Sequence, residues 1–447
     1  MSRVTRWSRL STRLRPEWSD RNLTLVLAAR TAMSAARALA GVVAPVYLAL
    51  DGFDAARLGA LFAVVAVASA VMATAIGLLS DRFGRKPFLV GVPLLAALAG
   101  VTFADDRSTG VLFAAAALGS FGRGSGAGAG AVGPYQPAES AFVVESILPR
   151  YRNVVFGRIS FVSSVGALAG GLLALMAPSR RLSGQAATAA FGDVFLATAG
   201  LAALAGFLAV FIVESRPERA PVSLEPDGTR RHGVRRLRFA LSAIHLPRRS
   251  RPLLYRLWVT NSLNGLAIGM FGPFVTYWFF RRFDASAGEI GALFAVVNVA
   301  TAAATLSAAG LAKRWGLVNT VGVVRSAQAA LLVPLVLMPT FEAAGAVYLL
   351  RMIVQRIGLP LRQSYVLAMA DAEERAAVTA LSNLPSQLTM AASPLLAGYL
   401  FDEVSLSLPF DIPAVPQGLN AVTFWVFFRH APPEEERVPA EPVASPS

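Results

Sequence analysis

The sequence predicts an all-α membrane protein of twelve transmembrane helices, arranged as two parallel six-helix halves. Three observations carry that expectation. The composition is too apolar for a water-soluble domain, Lys and Arg fall unevenly between successive apolar runs, and one heptapeptide recurs at the same place in each half.

Composition comes first. Of 447 residues, 55% are hydrophobic and only 15% charged, whereas soluble domains carry roughly 25% charged residues. At roughly 20 apolar residues per span, the length accommodates about twelve crossings with loops. A net charge of +14 could suit nucleic acid, but the charges stand in short blocks between apolar runs and form no basic face, so no nucleic-acid partner is expected. The absence of Cys excludes disulfides and thiolate chemistry. His232, His245 and His430 all lie in polar segments, so neither a metal site nor a cofactor is expected. No nucleophile–base, HExxH or P-loop pattern occurs. Catalytic residues are therefore not expected, and an enzyme or ATP-driven pump is excluded.

Apolar runs and breakers place helices near 22–50, 57–79, 88–104, 110–141, 153–177 and 190–213, then 253–280, 286–311, 318–339, 344–368, 376–401 and 408–428. They are called spans 1 to 12 below. Asp411, Pro413, Pro416, Gln417 and Asn420 make the last of these the weakest helix. The Arg-rich arm 1–21 carries Val4, Trp7, Leu10, Leu14 and Trp18 at helical spacing. It reads as a helix on an anionic leaflet or as a basic tail, with no cleavage site for a signal peptide.

Charge asymmetry orients the chain. One side holds the arm, the loops after spans 2, 4, 8 and 10, the segment 214–252 and the tail 431–447, and with them most loop Lys and Arg. The other side holds Arg57, Arg107, Arg180, Arg181, Arg281 and Arg282. By the positive-inside rule both termini are cytoplasmic and the protein is multi-pass, in a bacterial inner (plasma) membrane. The Pro- and Arg-rich 214–252 is a cytoplasmic loop between a half at 22–213 and a half at 253–430.

Self-comparison supports the division. GALFAVV at Gly59–Val65 recurs as GALFAVV at Gly291–Val297, and the same offset of 232 carries Phe83–Gly84 onto Trp315–Gly316. Spans 2 and 8 are thus equivalent members of parallel repeats.

Between spans 2 and 3 stands GLLSDRFGRKP, Gly77 to Pro87. It resembles the signature G-x-L-x-D-R-x-G-R-[KR] of the major facilitator superfamily at Gly77, Leu79, Asp81, Arg82, Gly84, Arg85 and Lys86. Gly84 permits a tight turn, and Arg82, Arg85 and Lys86 satisfy the charge rule. Asp81 does nothing for topology and needs a cation or a helix N-terminus. The resemblance implies both kinds of contact: Asp81 meets the start of span 11, and Arg85 bridges to Glu145 after span 4. Together they would latch the cytoplasmic side. At the offset of 232 the second half has Lys313 and Leu317, and Ala368 stands where Glu145 does, so only the first half is expected to carry the latch.

The resemblance further implies that spans 1, 4, 7 and 10 line a central cavity, where ionisable groups default to function. Candidate cavity residues are Arg37, Arg123, Asn261, Asn264, Gln355 and Arg356. Arg30, Arg351 and Arg362 lie nearer helix ends, where snorkelling is the expectation. Glu139 is the candidate for proton coupling, with a static pair to Arg123 or Arg158 as the competing role. Asp193 and Glu289 read as outer helix caps. Helix 4 is Gly-rich from Gly119 to Gly133, which suits close packing or an unwound stretch.

The function implied is secondary active transport of a small organic solute by alternating access. A monomer in the lipid bilayer would export amphipathic, drug-like compounds against protons. Import or exchange of an organic anion, suggested by the Arg surplus, is the alternative, and a non-transporting receptor on the same fold is a third.

Overall fold

The structure is a computed structural model, and it describes residues 21–105, 108–121, 133–148, 151–177, 185–214, 249–369, 374, 378 and 381–429. The arm, most of the central loop, the tail and Arg123 lie outside the described residues.

In order, the helices of the first half are α1 (Arg21–Leu50), α2 (Ala55–Phe83), α3 (Lys86–Asp105), α4 (Thr109–Gly119), α5 (Tyr135–Ser146), α6 (Arg152–Leu173) and α7 (Gln185–Val210). Those of the second are α8 (Arg251–Phe271), α9 (Val275–Phe283), α10 (Ala287–Trp315), α11 (Leu317–Ala330), α12 (Leu332–Leu337), α13 (Phe341–Met369), α14 (Leu384–Glu403), α15 (Leu408–Asp411) and α16 (Ala414–Phe428). Among the described residues seven helices are long and apolar enough to cross a membrane singly. An eighth span is the bent pair α8–α9, turning by 41°. α13 fails that test because it carries Glu342, Arg351, Arg356 and Arg362.

Two expected spans are corrected in detail. Span 4 is not one helix over 110–141. α4 stops at Gly119, Ser120 takes a left-handed φ of 56°, and α5 begins at Tyr135. Span 12 breaks between α15 and α16 at Ile412–Pro413, where Pro removes an intrahelical donor, whereas span 9 crosses as expected over Val318–Leu337, with only Leu331 between α11 and α12.

Two compact units emerge. One comprises Met1–Gly52, Val64–Pro217 and Ser286–Asn298; the other comprises Phe53–Ala63, Glu218–Ala285 and Val299–Ser447. Within the first, α1 packs on α6 and α7, and α3 on α7. Within the second, α8 packs on α14 and α16, and α11 on α16. These pairings are the same in span order, so the repeat seen in the sequence is a repeat of packing.

α1 is buried on nearly every side from Ala32 to Leu48, as its Ala-rich sequence allows. Small residues let neighbouring backbones approach, the main source of helix association in lipid. Around its end, Tyr47 packs against Phe103, Phe191 and Phe195. The second unit gathers Phe271, Phe274, Trp278, Phe401 and Phe410. Apolar side chains such as Val64, Val71, Leu98, Phe161 and Phe207 stay exposed, as a bilayer-facing surface requires.

The duplicated heptapeptide shows why it is duplicated. Phe62 and Phe294 are buried, as are Val65 and Val297, while Val64 and Val296 face outward. A Cβ on the leading Gly59 would stand 2.3 Å from the Pro394 carbonyl oxygen of α14, and one on Gly291 would stand 2.4 Å from that of Gly171 in α6. Both repeats begin where two backbones touch. The first turns of α2 are also capped: Asp402 of α14 accepts from the backbone N–H of Ala55 at 3.0 Å and of Ala56 at 2.7 Å. α10 starts with a capping box, Ser286 donating its backbone N–H to Glu289 at 2.7 Å and accepting from the Glu289 N–H at 3.2 Å.

Candidate functional site

The first polar cluster lies inside the first unit. Arg30 of α1 is 3% exposed and Glu139 of α5 1% exposed. The Arg30 guanidinium pairs with Glu139 Oε2 and donates from Nε to Ser163 Oγ of α6. Three spans thus meet at one charge pair. Glu139 Oε1, Tyr135 Oη and Ser34 Oγ are buried beside it with no hydrogen-bond partner among the described residues.

This corrects two expectations. Arg30 does not snorkel, because its side chain is closed in by α5 and α6. The cation that meets Glu139 is Arg30, whereas Arg158 is exposed. Helix rotation decides the pairing, and spacing along one helix carries no information about it. Arg37, two turns further along α1, is half-buried, and its Nη1 stands 3.1 Å from where a Cβ on Gly133 would be. It therefore lies at the break in span 4.

A second cluster belongs to the second unit. Asn261 of α8 is buried; its Nδ2 donates to the Ser382 carbonyl at 2.6 Å and its Oδ1 accepts from Arg362 Nη1 at 2.9 Å. Arg362 Nη2 donates to Asn383 Oδ1 at 3.1 Å. Arg325 of α11, 6% exposed, donates to Asn420 Oδ1 of α16 and lies over the Phe424 ring at 4.4 Å. Arg351 is 1% exposed and lies over Phe271 at 4.1 Å, so it does not snorkel either. Asn264, Gln355 and Arg356 are half-buried. Of these cavity candidates Asn261 is the one joined to a span-10 arginine, Arg362.

The third cluster is the loop between α2 and α3. Gly84 has φ +91°, a conformation only Gly adopts readily. The turn aims Arg85 at Glu145, with Nη2 to Oε1 at 2.6 Å and Nε to Oε2 at 3.3 Å, while Arg85 Nη1 reaches Ser80 Oγ at 2.6 Å. Glu214, at the end of span 6, accepts from the backbone N–H of Arg85 at 2.6 Å and of Lys86 at 3.2 Å. A Cβ on Gly84 would run into that carboxylate at 2.7 Å. Arg82 is exposed and stands over Phe83. Nothing lies within 4 Å of where a Cβ on Gly77 would stand. The side chains of Asp81, Lys313, Leu317 and Ala368 lie outside the described residues.

Sequence reasoning missed Glu214, Ser163, Asn383 and Arg325. Glu214 had a signal, being an acid at the head of an Arg-rich segment, but it reads equally as the start of a linker. In the second unit Glu374, after span 10, accepts from the backbone N–H of Arg249 at 3.2 Å and of Ser250 at 2.8 Å, at the start of α8. The two acids thus hold helix N-termini in the two units, where the backbone donors and dipole favour negative charge. Glu289 is exposed in the first turn of α10, as expected of a cap, whereas Asp193 is exposed but lies inside α7, which begins at Gln185, so it is no helix cap.

Comparison with known proteins places this geometry. A family model described as Major Facilitator Superfamily matches residues 26–354 and 257–446. Among solved structures, a peptide transporter POT in complex with sulfate is similar at a TM-score of 0.70 and 14% identity, over 93% of this chain and 96% of that one. The xylose transporter XylE from E. coli is similar at 0.65 and 15% identity, over 91% and 95%. The human organic anion transporter MFSD10 (TETRAN) is similar at 0.60 and 17% identity, over 92% and 100%. No curated protein matches in sequence. Identities this low show the fold alone. The family match spans nearly all of the chain, and with the repeated packing and the loop motif it leads to one conclusion: this multi-pass membrane protein belongs to the major facilitator superfamily and has its fold of twelve helices in two six-helix halves.

Proposed function

We propose that the chain is a proton-coupled secondary transporter that moves a small amphipathic organic solute by alternating access. It works as a monomer in a bacterial inner membrane with both termini cytoplasmic, and its direction is export. The halves are 22–213 and 253–430, joined by the loop 214–252. The observation that carries the reading is the Arg30–Glu139 pair. A charge pair inside a span is costly and is retained for function by default. Here one carboxylate oxygen, a tyrosine hydroxyl and a serine hydroxyl remain without partners around it. A proton arriving at Glu139 cancels its charge and frees Arg30 from it. Loss of that proton restores the pair. Such a group has two discrete arrangements, as coupling of solute to proton requires. Arg85, Glu145 and Glu214 form the cytoplasmic latch, with Asp81 as its further member, and Arg37 and Arg123 face the cavity.

The test is transport in everted vesicles acidified inside, given a fluorescent amphipathic dye. Vesicles with the wild-type chain should accumulate dye above empty vesicles, and Glu139→Gln vesicles should not. Equal accumulation in both would contradict the assignment of Glu139.

A second reading is favoured by one observation. The described interior of the second unit holds Arg325, Arg351 and Arg362 on amides and aromatic rings, and none of the three meets a carboxylate. An organic anion would complete that electrostatics. The similarity to a human organic anion transporter agrees with it.

A further inference from the structure

Arg325 and Arg362 are anchored without being neutralised. Arg362 uses two of its N–H groups on Asn261 Oδ1 and Asn383 Oδ1, and a guanidinium has five. Its side chain is half-buried, so the remaining donors can be reached. Arg325 is buried, with Asn420 Oδ1 and the Phe424 ring as its partners among the described residues. The Phe424 ring also packs on Tyr365, three residues beyond Arg362 on α13. Beside Arg325, Asn420 Nδ2 is a buried donor with no partner among the described residues. Next to it Gln417 donates to Gln328 at 3.2 Å and leaves its own Oε1 unpartnered.

Amide oxygens fix the direction of a guanidinium but leave its full positive charge in place. Two like charges inside a membrane protein, with an idle donor beside them, are expensive unless a negative group arrives. Tyr365, Phe424 and Phe428 pack together as buried core on the inner side of the cluster. The charge and the idle donor together suit a carboxylate.

We infer that Arg362, backed by Arg325 and Asn420, is a docking point for the carboxylate of an organic-anion solute. The guanidinium fork of Arg362 takes the two carboxylate oxygens side by side. Asn261 and Asn383 are positioning residues that hold the fork open, and Arg325 supplies field from behind. This names the solute class for the transport reading and rests on it, but it makes a claim about binding that can fail separately.

The full-length protein in phosphatidylcholine nanodiscs is titrated with 1-naphthoate and with the neutral isostere 1-naphthamide at constant chloride, reading the thermal midpoint and direct calorimetric binding. Naphthoate should bind and raise the midpoint, and naphthamide should do neither. Arg362→Gln should weaken naphthoate binding at least about tenfold, as loss of a charge-assisted contact does. Arg57→Gln, an exposed control, should leave it unchanged. Arg362→Lys keeps the charge without the fork and should fall between, which gives a readout if the Gln variant does not fold. Equal binding of naphthamide, or undiminished naphthoate binding in Arg362→Gln, would overturn the inference. So would occupancy by phosphatidylglycerol headgroups that excludes naphthoate, because the site would then be a lipid contact. Naphthoate binding that persists in a chain inactive in vesicles would defeat the transport reading and leave the site standing.

Discussion

Arg30 and Glu139 show how a single buried pair sets the energetics of the first unit. Removing one partner leaves an unpaired charge in a dry setting, at a cost of about 3–5 kcal/mol. Arg30→Met should therefore lower the thermal midpoint sharply, and Arg30→Met with Glu139→Gln should recover much of the loss, since a neutral pair needs no counter-charge. A double variant no more stable than Arg30→Met alone would show that the pair's charges do not matter to the fold. Gly84 is a different case, in which backbone conformation governs. Gly84→Ala combines a positive φ with a Cβ driven into Glu214 and should cost about 1–3 kcal/mol, read as a lower midpoint. An unshifted midpoint would mean that the turn relaxes freely. The turn at Gly84 was legible because Gly at a tight turn has a fixed chemical meaning, and the Arg85–Glu145 contact was legible through the family resemblance. The partner of Glu139 was not legible, because it depends on how three helices are rotated against one another.

At the level of elements, most spans could be read from hydropathy and breakers alone. Span 4 was read as 110–141 with close packing or an unwound stretch left open, and α4 ends in a left-handed Ser120. Span 10 was legible at 344–368 despite Arg351, Arg356 and Arg362 in its interior, and α13 covers it. The GALFAVV repeat was legible as equivalence, and contact geometry supplies its reason. Gly59 is the test: Gly59→Leu would force a side chain into the Pro394 carbonyl, and overpacking of this kind costs about 1–3 kcal/mol. Gly77→Ala, in the same helix with open space around it, should be neutral. Comparable midpoints for the two variants would show that the α2–α14 contact gives way without cost.

For the molecule as a whole, the distribution of charge distinguishes the two units. The first balances a buried Arg with a buried Glu, and the described interior of the second holds Arg residues on amides and rings. The proposed proton coupling in one and the inferred anion binding in the other would be a division of labour that a duplicated bundle permits, since each copy is free to diverge at its own centre. Alternating access then requires that Glu139 gate net movement while leaving the carrier able to exchange solute. Two fluxes in the same proteoliposomes separate these roles: gradient-driven accumulation of 1-naphthoate, and counterflow of labelled against unlabelled naphthoate with no gradient. The account predicts that Glu139→Gln keeps counterflow at near wild-type rate and loses accumulation. Accumulation in Glu139→Gln that still follows the imposed proton gradient would contradict it.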